Sequence, residues 1–232
     1  MRLFIIFSFW AISACASGFS EDFYKLEPKE RTQSFFAVLD PMFDLSFKKI
    51  EAELAFVQNF IDNAAKKSFL NVDKKGYEKL VGIKEKYRIK NVYNLGEYKY
   101  KLAPIPKAMG LAQALLESGG GTSLYARKYN NLFGEYSFYT ENGQSKRRPR
   151  VFNSIQEAVD AFVLNLNRHK AYEEFRQLRS WHKIMDTDMD PHAAIRTLKA
   201  YSELQDIYMN RVSSIIKRYD LKDYDKQVAA ND

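Results

Sequence analysis

The run from Lys107 to Glu117, KAMGLAQALLE, is followed at once by Ser118 and three glycines, and no other segment constrains the fold as tightly. Met109, Ala112, Leu115 and Leu116 recur at helical spacing, which predicts a helix laid against a core. Each glycine inside a helix costs roughly 1 kcal/mol relative to alanine. Three together end the helix, turn the backbone sharply and leave open space beside Glu117. Desolvation and the negative end of the helix dipole both discourage a carboxyl there from ionising. An acid so placed is a candidate proton donor. The bland alternative, a helix-terminal Glu facing water, is the commoner fate of a lone Glu.

The flanking sequence supplies the rest of an α-rich domain. Pro104 and Pro106 suit the entry to this helix. Upstream, residues 20–40 are mixed and charged and read as a surface lead-in, with a helix start at Asp40-Pro41. Apolar residues from Phe43 to Ile61 then recur at three- and four-residue steps, predicting an amphipathic helix over about 42–69. A shorter one fits 73–87, and the Tyr- and Lys-rich stretch 90–103 reads as irregular. Downstream, a short helix fits 123–129. Asn142-Gly143 between aromatic and β-branched runs predicts a hairpin within 132–152. Ser154 and Glu157 form a capping-box pattern opening the next helix. Further helices fit 172–178, 190–198 and 206–219. Hydrophobic residues make up 46% of the 232, enough for a packed core. The expected class is α+β, mostly α, with one small hairpin lobe.

A net charge of +7 favours anionic partners: nucleic acid, acidic membrane or cell-wall polymer. The N-terminus narrows that choice. Met1-Arg2 leads into the apolar run Leu3–Ile12 and then Ser13-Ala14-Cys15-Ala16, a secretory signal layout too short to span a bilayer. Ala14-Cys15-Ala16 fits an ordinary cleavage site. Ile12-Ser13-Ala14-Cys15 resembles a bacterial lipobox with Cys15 as the lipidated residue, and the combined layout favours it. Export argues against nucleic acid. As the single cysteine, Cys15 allows no intrachain disulfide. His169, His182 and His192 lack metal-ligand spacing, and the glycine run lacks the features of a phosphate loop, so neither metal nor cofactor is expected. Lys146, Arg147 and Arg148, with Arg150, read as a basic hairpin tip able to grip an anionic polymer or simply to face water.

A proton donor acting on a glycosidic bond commonly works with a second carboxylate. The hairpin offers Glu135 and Glu141. Tyr201, in Leu198-Lys199-Ala200-Tyr201-Ser202, follows a helix and is a further candidate to reach a cleft.

Ala112-Gln-Ala-Leu-Leu-Glu117-Ser-Gly-x-Gly-Thr-Ser123, then Ala126, then Asn130-Asn131-Leu132-Phe133-Gly134, resembles the signature of bacterial glucosaminidase domains, glycoside hydrolase family seventy-three. Residues 159–172 and 198–202 resemble later segments of that family, and 32–103 is similar to its Bax-type subgroup of cell-wall hydrolases. The resemblance implies a lysozyme-like helical domain with a small β-lobe, preceded by a helical extension. It implies an exported endo-β-N-acetylglucosaminidase cleaving β-1,4 bonds in peptidoglycan. Glu117 falls on the family's acid and Tyr201 on its cleft tyrosine. Asn131 and Phe133 fall on its NNLFG segment, and with Glu135 and Tyr136 they are expected at the substrate. Glu141 is favoured over Glu135 as second carboxylate; participation of the substrate's N-acetyl group would dispense with one. Gly120 stands where the family usually carries Trp, so the alternative is a catalytically weak or inactive peptidoglycan-binding scaffold of the same fold. The expected layout is a signal peptide over 1–15, a helical extension over 16–103, a catalytic domain over 104–222 and a flexible tail over 223–232. The expected location is periplasmic, anchored to the membrane through Cys15.

Overall fold

The computed structural model describes residues 18–199 and 205–229. In chain order the elements are α1 (Glu21–Lys25), α2 (Pro28–Lys66), α3 (Lys74–Tyr87), α4 (Leu95–Lys101), α5 (Lys107–Ser118) and α6 (Leu124–Tyr129). The strands β1 (Tyr136–Glu141) and β2 (Gln144–Pro149) follow. After them come α7 (Ile155–Arg168), a 3-10 turn (Lys170–Tyr172), α8 (Glu173–Ile184), α9 (Pro191–Arg196), α10 (Gln205–Arg218) and α11 (Asp223–Ala229). The described residues are thus mostly helical with one two-stranded antiparallel sheet, the expected α+β class.

Helix α5 is the centre of the packing. Ala108, Met109, Leu111, Ala112 and Ala114 are all fully buried, because α2, α9, α10 and α11 surround it. A helix apolar on nearly every side belongs in a core. Gly110 lets α2 come close: a Cβ there would lie 2.5 Å from the Phe43 ring. Its helix-breaking cost is offset by that approach.

Local sequence signals explain most boundaries. Asp73, Asn94, Ser123, Ser154 and Asp190 cap their helices by accepting a backbone N–H. Ser154 accepts from Glu157 N at 3.1 Å. The Glu157 carboxylate reaches one residue further back than the capping-box pattern predicts, to Asn153 N at 2.8 Å.

Local expectations upstream of α5 fail in instructive ways. The lead-in at 20–40 is helical, and the helix expected to begin at Asp40-Pro41 instead begins at Pro28 and contains Pro41. Proline forfeits one helical hydrogen bond, yet Phe35, Phe36, Leu39 and Phe43 are buried on both sides of it, and their burial carries the helix through. The stretch 90–103 contains α4, capped by Asn94 and seated on the fully buried Tyr98. The tail expected at 223–232 is helical through Ala229, and its Asp225 accepts from Ala108 N at 3.1 Å. One hydrophobic cluster joins Phe35, Leu80 and Tyr98 to Leu111, Phe162 and Val212.

Candidate active site

The glycine turn after α5 is built as its sequence demands. Gly119, Gly120 and Gly121 have φ of 59°, 64° and 80°, the left-handed region that only glycine enters freely. The buried Ser118 fastens the turn: its Oγ donates to Ala114 O at 2.6 Å and accepts from Gly121 N at 2.8 Å. Phe19 presses on the far side, where a Cβ on Gly121 would sit 2.7 Å from the ring. A Trp at position 120 would be strained in this backbone, so the loop geometry and the glycine belong together.

Glu117, half-buried at the last turn of α5, faces the next loop: a Cβ on Gly134 would lie 3.4 Å from its Oε2. Burial holds the Glu117 carboxyl above the usual carboxylate range, and a hydrogen bond from Tyr208 opposes this in part. The buried Gln113, one turn earlier, donates Nε2–H to Tyr208 Oη at 2.9 Å. With a lone pair engaged by the amide, the phenol directs its own proton at Glu117. Burial and then the Glu117 charge push the Tyr208 phenol far above its ordinary range, so it stays a donor. Among the described residues no cation pairs with Glu117.

Glu135 is one residue past Gly134, the glycine that Glu117 faces. Asn131, 2% exposed, builds the support. Its Nδ2 donates to Glu135 O at 2.7 Å and to Arg150 O at 3.0 Å, while its Oδ1 accepts from Glu135 N at 2.9 Å. Arg150 N donates to Glu135 O at 2.9 Å and closes the hairpin base. Across that base Arg150 Nη1 donates to Glu135 Oε2 at 3.0 Å, while Glu135 Oε1 is buried with no hydrogen-bond partner among the described residues. Burial raises the Glu135 carboxyl, and Arg150 and Arg168 pull it back. Tyr172, raised to about 12 by burial and by the Glu135 charge, lies on the same side.

The remaining predicted residues separate. Glu141 ends β1, exposed and ion-paired with Lys146, where its charge is solvated. Phe133 is 3% exposed and stacks on Phe162 at 4.0 Å between ring centroids, so it serves the core rather than a cleft wall. Asn131 spends its amide entirely on the loop described above. Tyr136 is exposed at the start of β1, under the Arg147 guanidinium at 4.8 Å. Arg150 lies at the hairpin base with Glu135, not at the tip. Tyr201 and Cys15 lie outside the described residues. Gln113, Tyr208 and Tyr172 carry no local sequence signal. The Glu135–Arg150 pair did have one. The Asn142-Gly143 turn fixes Glu141 opposite Gln144 and Tyr136 opposite Pro149. One further step back along the ladder sets Glu135 opposite Arg150.

A half-buried protonatable acid, and an arginine-braced carboxylate one residue past the glycine that the acid faces, are groups that glycoside hydrolysis can use. Comparison with known proteins agrees: residues 95–221, over half of the chain, match the Glucosaminidase family, described as mannosyl-glycoprotein endo-beta-N-acetylglucosaminidase. The chain belongs to this family of glycoside hydrolases. It is 38% identical over 112 residues to Protein bax of Escherichia coli (strain K12), covering 46% of this chain and 40% of that one. It is 26% identical over 140 residues to Exo-glucosaminidase LytG of Bacillus subtilis (strain 168), covering 55% and 48%. The chain therefore spans less than half the length of either relative. Among solved structures, the catalytic domain of the autolysin Auto from Listeria monocytogenes matches 73% of this chain and 88% of its own length, with a TM-score of 0.40 and 17% identity.

Proposed function

We propose that this chain hydrolyses the glycan strand of peptidoglycan at the β-1,4 bond of N-acetylglucosamine, with Glu117 as general acid. The observation that carries this reading is the asymmetry between the two half-buried carboxyls. Burial favours the protonated form of Glu117, and among the described residues only the Tyr208 phenol, with no cation, opposes it. Glu135 is also raised by burial, but Arg150 in contact and Arg168 nearby both favour its ionised form, a support Glu117 lacks among the described residues. In the reaction Glu117 protonates the leaving oxygen as positive charge develops on the sugar ring, and the Glu135 carboxylate faces that charge or activates water. Tyr208 positions Glu117 and stabilises the carboxylate left when its proton goes to the leaving oxygen; a proton from the attacking water restores the acid. Peptidoglycan as substrate fits the Glucosaminidase family and the cationic chain. Such a substrate requires work outside the cytoplasm, which the leader and a lipid on Cys15 would provide.

The test is mass spectrometry of muropeptides released by wild type and by Glu117→Gln. Products with reducing-end N-acetylglucosamine are expected from wild type and none from the variant. Equal release by the two overturns the acid assignment. Reducing-end muramic acid overturns the cleavage position, and binding without release points to the scaffold alternative. Incorporation of a palmitate analogue, lost in Cys15→Ala, tests the anchor.

A further inference from the structure

The hairpin carries more cationic and aromatic surface than its fold requires. Both strands are exposed over most of their length. Alternation places Glu135, Ser137, Tyr139 and Glu141 on one face with Lys146, Arg148 and Arg150 across from them. On that face Lys146 is paired with Glu141 and Arg150 with Glu135. Arg148 differs: among the described residues it makes no ion pair, and its guanidinium lies over the Tyr139 ring at 5.6 Å. Stacking of this kind holds the planar fork while leaving its N–H edge for a ligand.

A groove of about 540 Å³ opens beside this arginine, bounded by Tyr129, Ser137, Arg148, Arg150, Val151 and Glu157. The acid in its wall is already engaged, since Glu157 Oε2 accepts from Asn153 N at 2.8 Å and from Asn153 Nδ2 at 3.0 Å. The groove therefore offers a free fork, a half-buried hydroxyl, a half-buried phenol ring and the exposed methyl groups of Val151. Arg150 joins it to the candidate site, touching Glu135 from one side and lining the groove from the other.

We propose that this groove is a binding site for a carboxylate-bearing stretch of the glycan strand, read by the Arg148 guanidinium. This rests on the peptidoglycan reading above and deepens it: the strand would be gripped by its acidic substituents outside the bond to be cut. A bidentate arginine–carboxylate contact gives directional recognition that a lysine cannot copy. The apolar and aromatic walls match the sugar faces beside such a group. Arg147, which stacks on Tyr136 on the opposite face of the hairpin, supplies an internal control of like charge and exposure.

The experiment measures sedimentation of the full chain with purified sacculi, in a Glu117→Gln background that leaves the polymer intact. Arg148→Gln is expected to weaken binding to native sacculi about tenfold. Arg147→Gln should change it by less than about twofold. Amidating the sacculus carboxyl groups should weaken the parent and erase its difference from Arg148→Gln. Arg148→Lys should recover only part of the loss. Equal losses from Arg147→Gln and Arg148→Gln would reduce the site to diffuse charge. Undiminished binding to amidated sacculi, or displacement by a phosphodiester polymer as effective as by a polycarboxylate, overturns carboxylate reading. Any of these outcomes leaves the proposed hydrolase standing, whereas no binding to native sacculi sinks both.

Discussion

The two ends of α5 make opposite use of a buried charge. At the first turn Lys107, 1% exposed, meets Asp40 and Asp44 of α2 at 2.6 Å each. Burial alone would lower the Lys107 ammonium, but the two carboxylates outweigh it and hold it above its usual range, so the charged form is secured. At the last turn Glu117 is also raised, which for an acid means that the neutral form is favoured. The same helix thus compensates one ionisable group fully and leaves the other under-compensated. Structural charges are expected to be satisfied; a group kept short of partners is available for chemistry.

The comparison can be broken in four ways, from largest effect to smallest. Glu117→Gln should lower glycan cleavage by about 10²–10⁴-fold without loss of stability in chemical denaturation. A large stability loss would put Glu117 in the same structural class as Lys107. Lys107→Met should cost about 3–5 kcal/mol of folding stability, because Asp40 and Asp44 lose their shared cation. A midpoint within experimental error of wild type would show that the ion pairs contribute nothing.

Tyr208→Phe takes the proton donor from Glu117 and the acceptor from Gln113. Ionised Glu117 then loses the bond that favoured it, so the alkaline limb of the pH–rate profile should move to higher pH. Stability should fall by about 1–3 kcal/mol. An unmoved limb would remove Tyr208 from the site. Asp225, raised to about 6 by burial from an ordinary 3.8, gives the smallest effect. The native state keeps that proton while the unfolded chain has lost it, so stability should fall as pH rises between these values. Asp225→Asn should flatten that slope, by on the order of 1–2 kcal/mol across the window. Thermal unfolding from pH 3 to 8 reads it, and an unchanged slope refutes it.

Helix α5, the glycine turn, the hairpin and the Ser154 cap were legible because each depends on contacts a few residues apart. Helix α2 was not, since Pro41 is a strong local stop signal and only burial of Phe35, Phe36, Leu39 and Phe43 against distant elements overrides it. In the site, Glu117 was legible from its turn. Glu141 drew attention by standing beside an obvious turn, yet that position exposes it to water. Glu135 follows from the register that the Asn142-Gly143 turn sets, whereas its support on Asn131 and the return of Tyr208 on α10 to α5 depend on distant contacts. Pairings of that kind have no period in the sequence.

Phe19 gives the glycine turn a temporal meaning. Three successive glycines have little stiffness of their own, and the ring that braces them comes from the beginning of the described chain. The phenol that steadies Glu117 comes from near its end. During synthesis the ring leaves the ribosome long before its socket exists, and the phenol follows only after both. A nascent or truncated chain can therefore display the complete glycine motif while its acid is still unbraced. Closure of such distant contacts is slow and late, so the acid gains its brace only after α10 has packed against α5.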